Sequence, residues 1–281
     1  PLAVSDQTIV EGKKYGIDVE KANHGADVFG PHVYITNYEQ LHKFSPDQYR
    51  GIVLDESSIL KGMDGKMRQS ITDFSLEIPY KLSCTATPSP NDFMELGTQA
   101  EFLGIMTQLE MLAMFFVNDM SDTGKWRLKG HGAAKFWEWM ATWSICIRNP
   151  YDLGFDGSRH NLPPINYYQH TIETTPTDGL FVTVAQSLNE RNQARRDSVE
   201  ERCRMAAEIA NSVDDQVLIW CHLNDEGDML EKLIDGAVQV KGADKPEHKR
   251  DNLLGFASGE VKKLISKPKI AGYGMNWQKC N

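Results

Sequence analysis

The chain has 281 residues, room at roughly 150 residues per domain for about two domains, each able to bury its own core. Hydrophobic residues make up 41% and charged residues 25%, which excludes a disordered tail or a fibrous repeat and leaves an ordinary folded protein. Thirty basic residues against thirty-nine acidic ones give a formal charge of −9, so any contact with nucleic acid has to come from local basic patches.

From Val33 to Thr87 three short apolar runs, VYITN (33–37), GIVLDE (51–56) and YKLSCTAT (80–87), each end in small polar or acidic residues. They predict buried parallel strands with polar groups at their carboxyl ends, where open α/β sheets bind ligands. Chemistry is therefore expected at 36–37, 55–58 and 85–91. Between 101 and 165 the chain changes character. Phe136, Met140, Trp143 and Ile147 follow the spacing of one buried helix face, and the region is expected to be mainly helical. Pro163 and Pro164 in NLPPINYYQH (161–170) stop helices and stiffen a connection, which places an inter-domain linker near them. A long charged helix is predicted from Gly179 to Ser212, with Val199, Cys203, Ala206 and Ala210 as its inward stripe. Beyond it QVLIWCHL (216–223), AVQVKG and VKKLISK (261–267) read as strands separated by the helices DEGDMLEKLI and KPEHKRDNLLGFAS. This β-α-β-α-β series predicts a second parallel sheet.

Asp55 and Glu56 directly follow the run Ile52, Val53, Leu54. In an NTPase the first acid of such a pair holds magnesium through water and the second orients the water that attacks the γ-phosphate. The competing reading is a strand-ending turn in which Asp55, Ser57 or Ser58 caps the next helix. The small, hydroxyl-rich segment from Ser83 to Pro88 suits either a relay between loops or a plain Ser/Thr turn closed by Pro88 and Pro90. In AGYGMNWQ (271–278) Gly272 and Gly274 would let a phosphate or a partner domain approach the backbone, or would simply form a β-turn. SDTGKWRLKGHGAAK (121–135) gathers Lys125, Arg127, Lys129, His131 and Lys135 around Trp126. That pattern suits a mobile loop that tracks phosphates and stacks bases, or a solvated loop whose tryptophan packs back on the body.

Other groups read as structural. Trp137, Trp139 and Trp143 fall at apolar helical spacing, and Arg191, Arg195, Arg196, Arg202 and Arg204 alternate with glutamates as a salt-bridged outer face does. His222 has no second His or Cys at metal spacing, so no zinc is expected. Cys84, Cys146, Cys203, Cys221 and Cys280 are odd in number and widely spaced, which argues against a disulfide framework and for a reducing, cytoplasmic setting. The most apolar stretch, Leu103 to Val117, is interrupted by Gln108 and Glu110, so no membrane span is expected. Pro1 opens without Met and Asn281 closes on no obvious stop, so a fragment of a longer chain is expected.

In order, PLAV (1–4), YITNYEQL (34–41), IVLDESSILK (52–61), LSCTATPSPN (82–91), VLIWCHLNDEGDML (217–230) and ISKPKIAGYGMNWQ (265–278) resemble motifs Ia, Ib, II, III, IV and V of helicase superfamily 2. The resemblance is to the Swi/Snf-like, DEAD-like helicases of phages and prophages, and it spans nearly the whole chain. It implies an α/β fold of two RecA-like (P-loop NTPase-type) parallel-sheet domains, both truncated, with a helical insertion between them. Residues 1–105 would carry motifs Ia to III, 106–165 the insertion and linker, and 166–281 motifs IV and V. ATP and Mg2+ are the implied cofactors, DNA in duplex form the implied partner, and ATP-driven translocation the implied activity. By position, Asp55 would be the magnesium-associated acid and Glu56 the water-orienting base. Thr85, Ala86 and Thr87 would couple hydrolysis to DNA contact, and Gly272, Gly274 and Asn276 would face the nucleotide. Thr36, Asn37 and Lys267 would touch nucleic acid, joined by Lys125, Arg127 and Lys129 of the basic segment.

Two departures from the family pattern carry consequences. No G-x-x-x-x-G-K-[ST] phosphate loop occurs, and the family places it upstream of PLAV; the arginine-bearing motif VI would fall after the glycine loop. An arginine of that kind is worth roughly 10³ to 10⁵ in rate, so the full-length parent is expected to hydrolyse ATP and this fragment alone is not. The rival readings are a non-catalytic nucleic-acid-binding scaffold that keeps the fold, and an unrelated metal-dependent hydrolase built on Asp55 and Glu56.

Overall fold

A computed structural model describes residues 2–61, 65–118, 126–172 and 187–280 of the chain. In chain order the elements are α1 (Leu2–Lys14), β1 (Val19–Lys21), β2 (Val33–Ile35), β3 (Gly51–Leu54), α2 (Lys66–Ser75), β4 (Tyr80–Ser83), α3 (Leu96–Leu103), α4 (Gln108–Phe115), β5 (Phe116–Asn118) and β6 (Trp126–Leu128). They continue with α5 (Ala133–Ala141), α6 (Leu188–Asp197), α7 (Val199–Asn211), β7 (Val217–Trp220), α8 (Asn224–Leu233), β8 (Ala237–Gln239), α9 (Pro246–Ser258), β9 (Lys263–Ser266) and α10 (Pro268–Ala271). The fold is mixed α/β with small sheets. β1–β2 and β3–β4 are parallel pairs, β5–β6 is antiparallel, and β7–β9–β8 is a three-stranded parallel sheet. Two compact units divide the chain: Pro1–Ala22, Val28–Asn37 and Tyr167–Asn281 form one, and Asn23–Asp27 with Tyr38–Asn166 form the other.

In the first unit the chain crosses the three-stranded sheet from β7 to β8 through α8, then reverses through α9 to insert β9 between them. Successive residues of a strand point to opposite faces, and β9 uses both. Ile265 packs with Cys203, Ala207 and Ala210 of α7 and Leu230 of α8, while Leu264 packs with Val240 and with Leu253 and Phe256 of α9. Pro246 opens α9, where its missing N–H costs nothing, and Gly259 closes it at φ +87. The expected Gly179–Ser212 helix is instead two helices, and 179–186 lies outside the described residues. A capping box of Ser187 and Glu190 starts α6, and the Ser198 hydroxyl, donating back to the Ala194 carbonyl at 2.7 Å, sits at the break before α7. The arginine pattern also departs from an outer face alone. Arg204 pairs with Glu200 on the surface, but Arg202 turns inward to Glu226 at 2.5 Å.

In the second unit β3 and β4 pair in the register Leu54↔Ser83. Leu54 is buried against Leu60, Ile71 and Phe102, with Ile52 packed beside them. The expectation of strands covered on both faces fails here: Val53 is 64% exposed, Leu82 53% and Tyr80 73%, because the packing helices supply apolar side chains to one face only. The helical expectation for 101–165 also needs correction. α3, α4 and α5 surround Met111, Phe115, Phe136 and Met140, but the β5–β6 hairpin interrupts them. After α5 the chain holds only short 3-10 turns up to residue 172. The hydroxyls of Thr142 and Ser144 donate to the Trp139 and Met140 carbonyls and end the helix, so Trp143 packs on the cluster while Ile147 stays exposed.

Candidate functional site

The turn after β3 is tied to the end of β4 by two backbone bonds: Cys84 N–H donates to the Leu54 carbonyl and Ser57 N–H to the Cys84 carbonyl, each at 2.9 Å. Asp55 and Glu56 lie between these bonds, and both are exposed. The Glu56 N–H donates to Asp55 Oδ1 at 3.1 Å, and the Tyr38 hydroxyl donates to the Asp55 carbonyl at 2.5 Å. Burial, with the nearby charges of Asp55, Glu56 and Cys84, pushes the Tyr38 phenol up and keeps it a donor. Glu56 has φ +50, the one non-glycine residue with positive φ among the described residues. A side chain there costs on the order of 1–3 kcal/mol, and such strain collects at functional turns.

Gln99, buried on α3, joins the two strand ends. Its Nε2 donates to the Ser57 carbonyl at 3.0 Å and its Oε1 accepts from the Ser83 hydroxyl. Beyond Ser83, Thr85 is half-buried while Ala86 and Thr87 are exposed, and Thr85 Oγ1 accepts the Thr87 N–H at 3.0 Å. The acid pair and the hydroxyl segment therefore leave one sheet edge together, cross-linked through Gln99. Tyr38 and Gln99 were not singled out from sequence.

The other sequence-assigned residues are dispersed between the two units. Trp126 lies in β6, packed on the aromatic cluster, and Arg127 is exposed opposite Val117. Lys129 Nζ donates to the Ala113 and Met114 carbonyls at 3.0 and 2.9 Å, neutralising the carboxyl end of α4. Lys125 lies outside the described residues. In the first unit, Thr36 is exposed and Asn37 half-buried just past β2. The glycine loop approaches α1: Gly274 has φ +70, and a Cβ there would fall 2.8 Å from Val4 Cγ2. Asn276 donates to Gln7 Oε1 at 2.9 Å through its backbone and to Glu11 Oε1 at 3.2 Å through its amide. At Gly272 a Cβ would meet the Pro268 carbonyl oxygen at 2.4 Å.

Lys267, just beyond β9, opens onto a cavity of about 410 Å³ at the carboxyl edge of β7–β9–β8, where Cys221, Asn224, Gln239, Lys241 and Lys269 also line the wall. Lys267 Nζ donates to Asn224 Oδ1 at 2.7 Å, and Lys241 pairs with Asp228 at 2.7 Å. The lysine contact, Lys241's charge and the Gln239 amide hold the Asp228 carboxyl below its usual range. Lys241 and Lys269 escaped the sequence reading; each stands just after a strand, the one signal that marks them.

No family model matches the chain, and no curated protein matches it. Among the described residues the grouping with metal-ligand spacing is Asp18, Glu20 and His32, all exposed, with donor atoms within 4.8 Å of one another. Asp55 does offer what magnesium prefers, a hard carboxylate oxygen open to solvent, so its chemistry fits a water-mediated contact with that ion. For ATP the fit is partial, since the sequence holds no phosphate loop to cradle the β and γ phosphates. No helix among the described residues is long and apolar enough to cross a membrane.

Proposed function

We propose that the chain is the central part of a DNA-dependent ATPase of helicase superfamily 2, a translocase on duplex DNA with two RecA-like domains. One observation carries the reading: an exposed Asp-Glu pair on a strained turn, hydrogen-bonded to the hydroxyl-bearing end of the neighbouring parallel strand. An apolar strand followed by an ordinary turn needs neither the strain at Glu56 nor the buried Gln99 bridge. Glu56, exposed beyond the strand end, would orient and deprotonate the attacking water. Asp55 would hold Mg2+ through water, and that ion supplies charge neutralisation at the phosphates. A shift at the acid turn would pass through Ser57 and Gln99 to Ser83, and so to Thr85, Ala86 and Thr87. The phosphate loop and the arginine motif would come from sequence beyond these 281 residues.

The test is phosphate release by the full-length parent, with and without DNA, in wild type and Glu56→Gln. DNA should stimulate the wild type, and the variant should lose about 10²- to 10⁴-fold in turnover, as removal of a general base does. Equal rates in the two proteins would remove Glu56 from this role.

A further inference from the structure

We propose that Tyr38 is a positioning residue: its hydroxyl holds the peptide between Asp55 and Glu56 in the orientation that aims the Glu56 side chain. The inference rests on the reading of Glu56 given above and adds the group that keeps that side chain in place.

The carbonyl that accepts the Tyr38 hydroxyl at 2.5 Å belongs to the peptide whose N–H is that of Glu56. On either side the chain is anchored to β4: the Leu54 carbonyl accepts from Cys84 and the Ser57 N–H donates to Cys84, each at 2.9 Å. Between two such anchors a planar peptide can turn like a crank, through opposite changes in ψ of Asp55 and φ of Glu56. A half-turn carries φ of Glu56 from +50 to about −130, extended backbone open to any residue. The peptide therefore has an unstrained alternative, and the strained orientation persists only where the surroundings impose it. At the N–H end the partner is Asp55 Oδ1 at 3.1 Å, a group of the turn itself that can follow by side-chain rotation. At the carbonyl end the hold comes from outside the turn, through Tyr38.

The tyrosine is itself fixed. Its ring packs on the cluster of Leu54, Leu60, Ile71 and Phe102, which sets the hydroxyl against the end of β3. Burial, and then the charges of Asp55 and Glu56, keep the phenol protonated and donating. In the chain Tyr38 directly follows Thr36 and Asn37, the strand end given to nucleic acid, so the bond that orients Glu56 starts one residue from that contact.

Two measurements test the proposal. In the 281-residue chain, thermal unfolding of Glu56→Val and Glu56→Gly is compared in the presence of Tyr38 and in combination with Tyr38→Phe, which removes the hydroxyl alone. With Tyr38 in place Glu56→Val should melt below Glu56→Gly; with Tyr38→Phe the peptide is free to turn and the two midpoints should coincide. An equal gap in both backgrounds, or no gap with Tyr38 in place, would overturn the proposal. In the full-length parent, Tyr38→Phe should lower kcat for DNA-stimulated phosphate release about tenfold, the worth of one hydrogen bond, and leave KM for ATP unchanged. Combined with Glu56→Gln it should add no further loss, because the hydroxyl acts through Glu56. An unchanged kcat, a loss carried by KM, or the same tenfold loss on top of Glu56→Gln would overturn it. A Glu56-dependent ATPase indifferent to Tyr38→Phe defeats this inference alone. A parent without Glu56-dependent ATPase defeats the motor reading, and the melting comparison then decides by itself whether Tyr38 holds the turn.

Discussion

The two parallel sheets that carry the assigned chemistry are written in the same residues, short runs of Val, Ile and Leu, yet they are finished differently. In β7–β9–β8 the central strand is buried on both faces, Leu264 under α9 and Ile265 under α7 and α8. In β3–β4, Leu54 is buried while its neighbour Val53 and the cross-strand Leu82 stay in solvent. An apolar run thus specifies a strand and leaves open how many of its faces are covered, which depends on helices brought in from elsewhere. The exits differ in sign as well: acids follow β3, whereas lysines follow β8 and β9.

The largest effect that would break this comparison is in the cores. Ile265→Ala should cost about 2–5 kcal/mol in urea unfolding, the range for a buried large-to-small change, whereas Val53→Ala should stay within about 0.5 kcal/mol. Equal costs would mean that the two sheets are covered alike.

Next comes the acid limb of the first unit. Burial raises the Glu226 carboxyl, but N–H bonds from Leu223 and His222 and the Arg202 guanidinium outweigh it and hold the pKa below the ordinary glutamate range. A depressed folded pKa gives stability that is complete above the unfolded value, about 4.3, and that is lost as pH falls through the folded one. Melting temperature should therefore drop more steeply in wild type than in Glu226→Gln below about pH 4.5. Parallel curves would show that Glu226 does not carry this dependence.

The smallest effect sharpens the contrast at the strand exits. Because Glu56 sits at φ +50, Glu56→Val should be less stable than Glu56→Gly by about 1–2 kcal/mol. Thermal unfolding of the two variants reads the difference, and identical midpoints would mean that the turn relaxes at no cost.

The β-α-β-α-β series was legible strand by strand, because each apolar run ends at turn residues and each helix carries its own start and stop, such as Pro246 and Gly259. The positions of Asp55, Glu56 and Lys267 just past strands were legible for the same reason. What escaped depends on distant partners. Gln99 meets Ser57 across 42 residues, and neither position announces the other. β1 and the β5–β6 hairpin are three-residue elements with too little pattern to be read, and the break between α6 and α7 turns on one serine hydroxyl choosing a carbonyl. The one-sided burial of β3–β4 is a property of what packs there, not of Val53 or Leu82.

Tyr38 brings a practical consequence. Its phenol rests on the main chain of the acid turn and is held protonated first by burial and then by the negative charge around it. A cation settling on Asp55 would offset part of that charge, so a neutral-pH ultraviolet difference spectrum, compared with that of Tyr38→Phe, would register occupancy without any label being attached.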